Sequence, residues 1–171
     1  MTGRAAPEDL DWLREREFIV GSTIATEPGT RFALPARSSI LDLHLPVPGV
    51  LDIGLAAAAQ MKARRDLRLR PLGAIFAALG QREVIPEPAS PTDFLKLAAA
   101  FYRARRYFPA IDQCLVRGLA MKRLLDRQGL QADFVIGVKL PFSAHCWIQV
   151  DDTVLTDPID VVLPFEQILV I

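Results

Sequence analysis

The spacing of apolar positions changes several times along this chain of 171 residues, and each change marks an element. Pro7 to Arg16 predicts a short helix with Trp12 and Leu13 inward, and Phe18 to Val20 is β-prone before the polar stretch TEPGT. In LDLHL, Leu41, Leu43 and Leu45 alternate with Asp42 and His44, as in a half-buried strand with His44 on its solvated side, before VPG ends it. From Val50 the period turns helical. Ala56 to Arg70 forms one such stretch, and Pro71 opens another that reaches about Gly80. Gln81 to Pro91 holds three prolines and reads as a linker. Ser90, Pro91 and Asp93 then fit the cap, first and third positions of a helix running to about Arg106.

The later part of the chain is the more informative. After Phe108-Pro109, the segment AIDQCLVRGLAMKRLLDRQG has helical spacing at Leu115, Leu119, Leu124 and Leu125, with Asp112 or Gln113 at its start and Gly129 placed as a terminator. Two β-rich runs follow, Ala132 to Leu140 and Ala144 to Val150, then Asp151-Asp152 as a turn and Thr153 to Thr156 as a third short strand. Side chains alternate along a strand, so His145 and Trp147 share one face of the second run and Ala144, Cys146 and Ile148 the other. Cys146 is accordingly expected in the core on the back of the sheet, and Trp147 is expected to be core as well.

Composition narrows the function classes. With 51% hydrophobic residues, the chain is long enough for one substantial core and one main domain. Twenty basic residues balance twenty acidic ones, so net charge gives no argument for nucleic acid as a partner. The opening MTGRAAPEDLD lacks the apolar region of a secretory signal, and no apolar run approaches the roughly 18 residues that span a bilayer. A soluble, cytoplasmic protein without a membrane partner is expected, with Cys114 and Cys146 as free thiols. Two cysteines with His44 and His145 do not form zinc-type pairings, and no phosphate-cradling glycine motif is present, so no metal or nucleotide cofactor is expected. The basic run Lys62, Arg64, Arg65, Arg68 and Arg70 reads either as a solvated helix end or as a docking strip for an acidic peptide.

Candidate chemistry centres on Cys114. In the first turn of its helix, unpaired N–H groups and the positive dipole end favour a thiolate, although an unpaired cysteine is more simply a small buried apolar residue. His145, 31 residues further on, faces it if the helix packs across the sheet, and a third group would then hold the imidazole. Asp157 is the candidate orienter. An odd loop at Val150 to Asp152 sets Asp157 opposite His145, whereas a two-residue turn opposes it to Cys146. Asp160 is the reserve, and Asp151 and Asp152 are expected as turn residues. The Cys114 N–H is the first oxyanion donor, while Gln113 is either a second donor or a solvent-facing helix-start residue.

As a set, FPAIDQCLVRGLAMKRLLDRQGL, FVIGVKLPFSAHCWIQVDDTVLTD and FEQILVI resemble the C-terminal domain of lasso-peptide biosynthesis B proteins, a branch of the transglutaminase-like cysteine peptidases. The resemblance reaches back through ARRYF and ARRDLRLRP to about Val50. It implies an α+β fold with a papain- or transglutaminase-like core, in which a catalytic helix packs on a small antiparallel sheet and is preceded by helices. It assigns Cys114, His145 and Asp157 as nucleophile, base and orienter. The implied activity is removal of the leader from a ribosomally made precursor peptide, so that a partner macrolactam synthetase can close the ring. Any ATP dependence would enter through that partner. An acyl or glutamyl transferase, or a non-catalytic precursor-binding module, are the alternatives. Fused family members carry a complete winged-helix-like recognition domain ahead of the peptidase domain at 50–171, and the segment 1–49 is short for one. It is expected as a remnant or rearrangement of that domain, with a separate leader-recognition protein as a further partner.

Overall fold

The computed structural model describes residues 32–81, 90–107 and 113–171. The expectations for Pro7 to Arg16 and Phe18 to Val20, for 82–89 of the linker and for the 108–112 approach to Cys114 lie outside the described residues.

Among the described residues five strands form one sheet in the order β1-β4-β3-β2-β5: β1 (Ser38–Ser39), β2 (Asp133–Lys139), β3 (Ser143–Val150), β4 (Thr153–Val154) and β5 (Glu166–Val170). The pairs β2/β3, β2/β5 and β3/β4 are antiparallel, but β1 runs parallel to β4, so the sheet is mixed and not wholly antiparallel as expected. The parallel pair arises because the chain enters beside the β3/β4 turn, where Arg37 and Ser38 both donate to the Asp152 carbonyl. Arg31–Ile171 is a compact unit, so the stretch before Val50 supplies one strand of this sheet.

Helices α1 (Val50–Leu69), α2 (Leu72–Gly80), α3 (Pro91–Ala104) and α4 (Gln113–Arg127) precede the main strands, and a short α5 (Ile159–Val162) follows β4. The start of α3 is as the sequence dictates: the Ser90 hydroxyl accepts from the Thr92 N–H and Asp93 reaches back to the Ser90 N–H. The strand expected at Leu41 to Leu45 does not form. Ile40–Asp42 is a 3-10 turn and Leu43 is exposed, because the Ser39 hydroxyl caps that turn by accepting from the Leu41 N–H. His44 is exposed.

The larger core joins Ala56 and Ala63 of α1, Phe101 of α3 and Leu119 and Leu125 of α4 to Phe134, Cys146 and Ile148 of the sheet. Gly118 lets α4 come this close, since a Cβ there would lie 2.7 Å from the Phe134 ring. On the sheet's other face Val135, Trp147, Val154 and Val162 pack with Ala33. Gln149, fully buried, fastens that face: it accepts from Trp147 Nε1 at 3.0 Å and donates to the carbonyls of Leu34 at 2.5 Å and Asp151 at 2.6 Å. Among the described residues no helix is long and apolar enough to cross a membrane.

Candidate active site

Cys114 is the second residue of α4 and is partly buried against the larger core. β4 is only two residues long, and this length decides what surrounds the thiol. Val150 pairs with Thr153 and Gln149 with Val154, after which Leu155 N–H donates to the Ile148 carbonyl and Ile148 N–H to Thr156 Oγ1. Amides two apart in a strand point to the same edge, so the next one along that edge is Cys146 N–H, past the end of β4. That amide, the Cys146 thiol and the His145 ring are all in hydrogen-bonding contact with Cys114. His145 and Cys146 do leave β3 toward opposite faces, yet a sulfur placed at the strand's open edge meets both.

The position expected for Cys146 is therefore corrected. It is core, 4% exposed, but on the face that α4 covers and not on the back of the sheet. Alternation showed correctly that it points away from Trp147; it contained nothing about which face the helix would take.

The register argument for Asp157 is also corrected. The turn has two residues, Asp151 and Asp152, with Asp151 at φ 51°, and continuing that ladder would oppose Asp157 to Cys146. The ladder stops at Val154, however, and the chain bends away before Asp157. Asp157 Oδ2 stands 3.4 Å from His145 Nε2, a loose contact whose two atoms are not aligned for a hydrogen bond and have no other. Its Oδ1 accepts from Arg117 Nη2 at 2.7 Å, and its backbone carbonyl accepts from Ser39 Oγ at 2.7 Å. Asp160 is exposed and Gln113 is half-buried.

A family model for the transglutaminase-like superfamily matches residues 57–170, two thirds of the chain. The chain belongs to that superfamily. Searches of curated proteins and of solved structures gave no significant match. The superfamily includes cysteine peptidases and transferases, and its α+β architecture is the one described above.

For a transglutaminase-like protein the decisive question is whether the cysteine is ionised. The Cys114 thiol is lowered to about 4 by the hydrogen bond from Cys146 first, against the opposing effect of burial, with contact from His145 and the Cys146 amide adding to it. Burial works against a charge on His145, but contacts with Asp157 and then Cys114 outweigh it and raise the ring to about 9. Asp157 is held below the usual carboxylate range: burial opposes its charge, and His145 and Arg117 overcome that. Between those two values the pair is thiolate and imidazolium, a nucleophile next to a proton donor.

Arg117 and Ser39 are the functional residues that sequence reading passed over. Arg117 lies three positions after Cys114, on the same side of α4, and its side chain is only 12% exposed. A cation on the inner side of an amphipathic helix was the available signal. Ser39 sits in a stretch assigned to the N-terminal segment and had no local signature. The basic run Lys62, Arg64, Arg65, Arg68 and Arg70 is exposed, while Asp66 within it pairs with Arg123 of α4 at 2.7 Å.

Proposed function

We propose that this chain is a cysteine peptidase that removes the leader from a ribosomally synthesised lasso-peptide precursor before macrolactam formation. The observation that carries the catalytic part is the contact of Cys114 with His145, which in turn meets Asp157 at 3.4 Å. The precursor as substrate rests on the resemblance of the three segments around these residues.

In this reading the Cys114 thiolate attacks the last leader carbonyl and the tetrahedral intermediate collapses to a thioester. The His145 imidazolium, through the ring nitrogen not turned to Asp157, gives its proton to the departing core amine. The neutral ring then takes a proton from water, whose attack on the thioester releases the leader acid and restores the thiolate–imidazolium pair. Asp157 fixes the ring and stabilises its charge, and Arg117 and Ser39 fix Asp157. The backbone N–H of Cys114 is the first oxyanion donor. The partners are the precursor, a macrolactam synthetase that takes the freed amine, and a separate leader-recognition protein, all in the cytoplasm.

The test is incubation with precursor peptide and mass analysis of both fragments. Free leader acid and core amine, absent with Cys114→Ala, are the expected products. An amide adduct in place of leader acid when a good amine is added would assign the chain to acyl transfer instead. Binding without turnover in wild type, with the recognition protein supplied, would leave a precursor-binding module.

A further inference from the structure

Cys146 has no task in the reaction just described, yet its thiol and its amide both contact the nucleophile. As a core filler a cysteine needs only volume. Here the short β4 leaves the Cys146 amide unpaired by the sheet on its outer edge, and the first turn of α4 brings the Cys114 sulfur to that edge. The side chain of Cys146 lies on the same α4-covered face. Two donors of one residue thus converge on one sulfur, from the backbone and from the side chain.

We propose that Cys146 is a thiolate-stabilising residue of this site, donating to Cys114 through both its backbone N–H and its thiol. The proposal rests on the reading of Cys114 as nucleophile. It requires the proton to stay on Cys146, and the surroundings ensure that. The ionisable groups facing Cys146 are Cys114 and Arg117 from α4 and Asp157 from the segment after β4. The hydrogen bond to Cys114, burial and the Asp157 carboxylate all push its thiol far above the ordinary range, with Arg117 the one opposing influence. His145 contacts Cys114, whose place in the first turn of α4 also favours charge there. The charge therefore collects on Cys114, and Cys146 acts only as donor. A more stable thiolate is present at lower pH but is intrinsically a weaker nucleophile, so this contact sets the acid limit of activity more than its maximum.

The experiment is the pH dependence of Cys114 alkylation by iodoacetamide in the full chain, with peptide mapping to separate the two cysteines. Wild type is compared with Cys146→Ala and Cys146→Ser, each checked for folding by near-ultraviolet circular dichroism. Alanine removes the side-chain donor and keeps the amide; serine restores a donor. The expected result is a midpoint raised by about one pH unit or more in Cys146→Ala, the size of a hydrogen bond to a charged group, and a return toward wild type in Cys146→Ser. An unchanged midpoint in Cys146→Ala would overturn the proposal, as would equal displacement in both variants, which is a packing effect. A wild-type midpoint at the ordinary thiol value is a different failure, since it removes the activated nucleophile itself.

Discussion

The two halves of β3 differ in what runs beside them. From Trp147 to Val150 the strand has β2 on one edge as far as Gln149 and β4 with Leu155 and Thr156 on the other, and Trp147, Ile148 and Gln149 are buried. From Ser143 to Cys146 only β2 accompanies it, Ser143 and Ala144 are exposed, and the free edge is met by Cys114 while His145 reaches Asp157. The first arrangement spends its polar groups on structure. The second leaves an amide, a thiol and an imidazole to face one sulfur, and it is the shortness of β4 that frees the amide. Substitutions in the two halves should accordingly damage different things.

The largest effect is expected in the open half. Cys114→Ala should abolish precursor cleavage, and His145→Ala should lower it by roughly 10³-fold or more, as followed by chromatography of the leader, with the thermal midpoint of either variant little changed. Asp157→Asn should slow cleavage by about 10²-fold or more, because an amide carries no charge to stabilise the imidazolium or to form an ion pair with Arg117. In the paired half the loss should be of stability. Gln149→Leu leaves Trp147 Nε1 and the Asp151 carbonyl without their partner and leaves the Leu34 carbonyl only the longer bond from Gln167 at 3.4 Å, a cost of roughly 2 kcal/mol or more in urea unfolding. A large loss of rate per folded molecule in Gln149→Leu would break the comparison.

Arg117→Met tests a residue that touches both halves of the problem. Asp157 loses the cation that helps keep it ionised, so its carboxyl moves up, and turnover should fall by about tenfold with a stability cost of roughly 1–3 kcal/mol. Acidity should act mainly at the limits. The rate of cleavage should rise with pH as Cys114 ionises near 4, stay nearly level, and fall near 9 as His145 loses the proton owed to the leaving amine.

Where the fold follows from local chemistry it was legible in the sequence. The capped start of α3, the end of α4 at Gly129 with φ 71°, the β2/β3 hairpin and the Asp151-Asp152 turn all rest on residues within a few positions of each other. What was not legible depended on distant neighbours. The side of the sheet covered by α4, and with it the surroundings of Cys146, is a tertiary choice that alternation along β3 does not contain. The meeting of His145 and Asp157 could not be settled by register, because the ladder ends before Asp157 is reached. The parallel β1/β4 pair and the hold of Ser39 on Asp157 join residues more than a hundred positions apart.

The central claim is that His145 and Cys114 form one ionised pair, and it is tested most directly by alkylating Cys114 across pH in wild type and in His145→Ala. Reaction well below the free-thiol value of about 8.5 in wild type, with the midpoint moved upward and neutral-pH labelling slowed in His145→Ala, is the predicted result. A Cys114 that titrates like an ordinary thiol in both proteins would contradict the account.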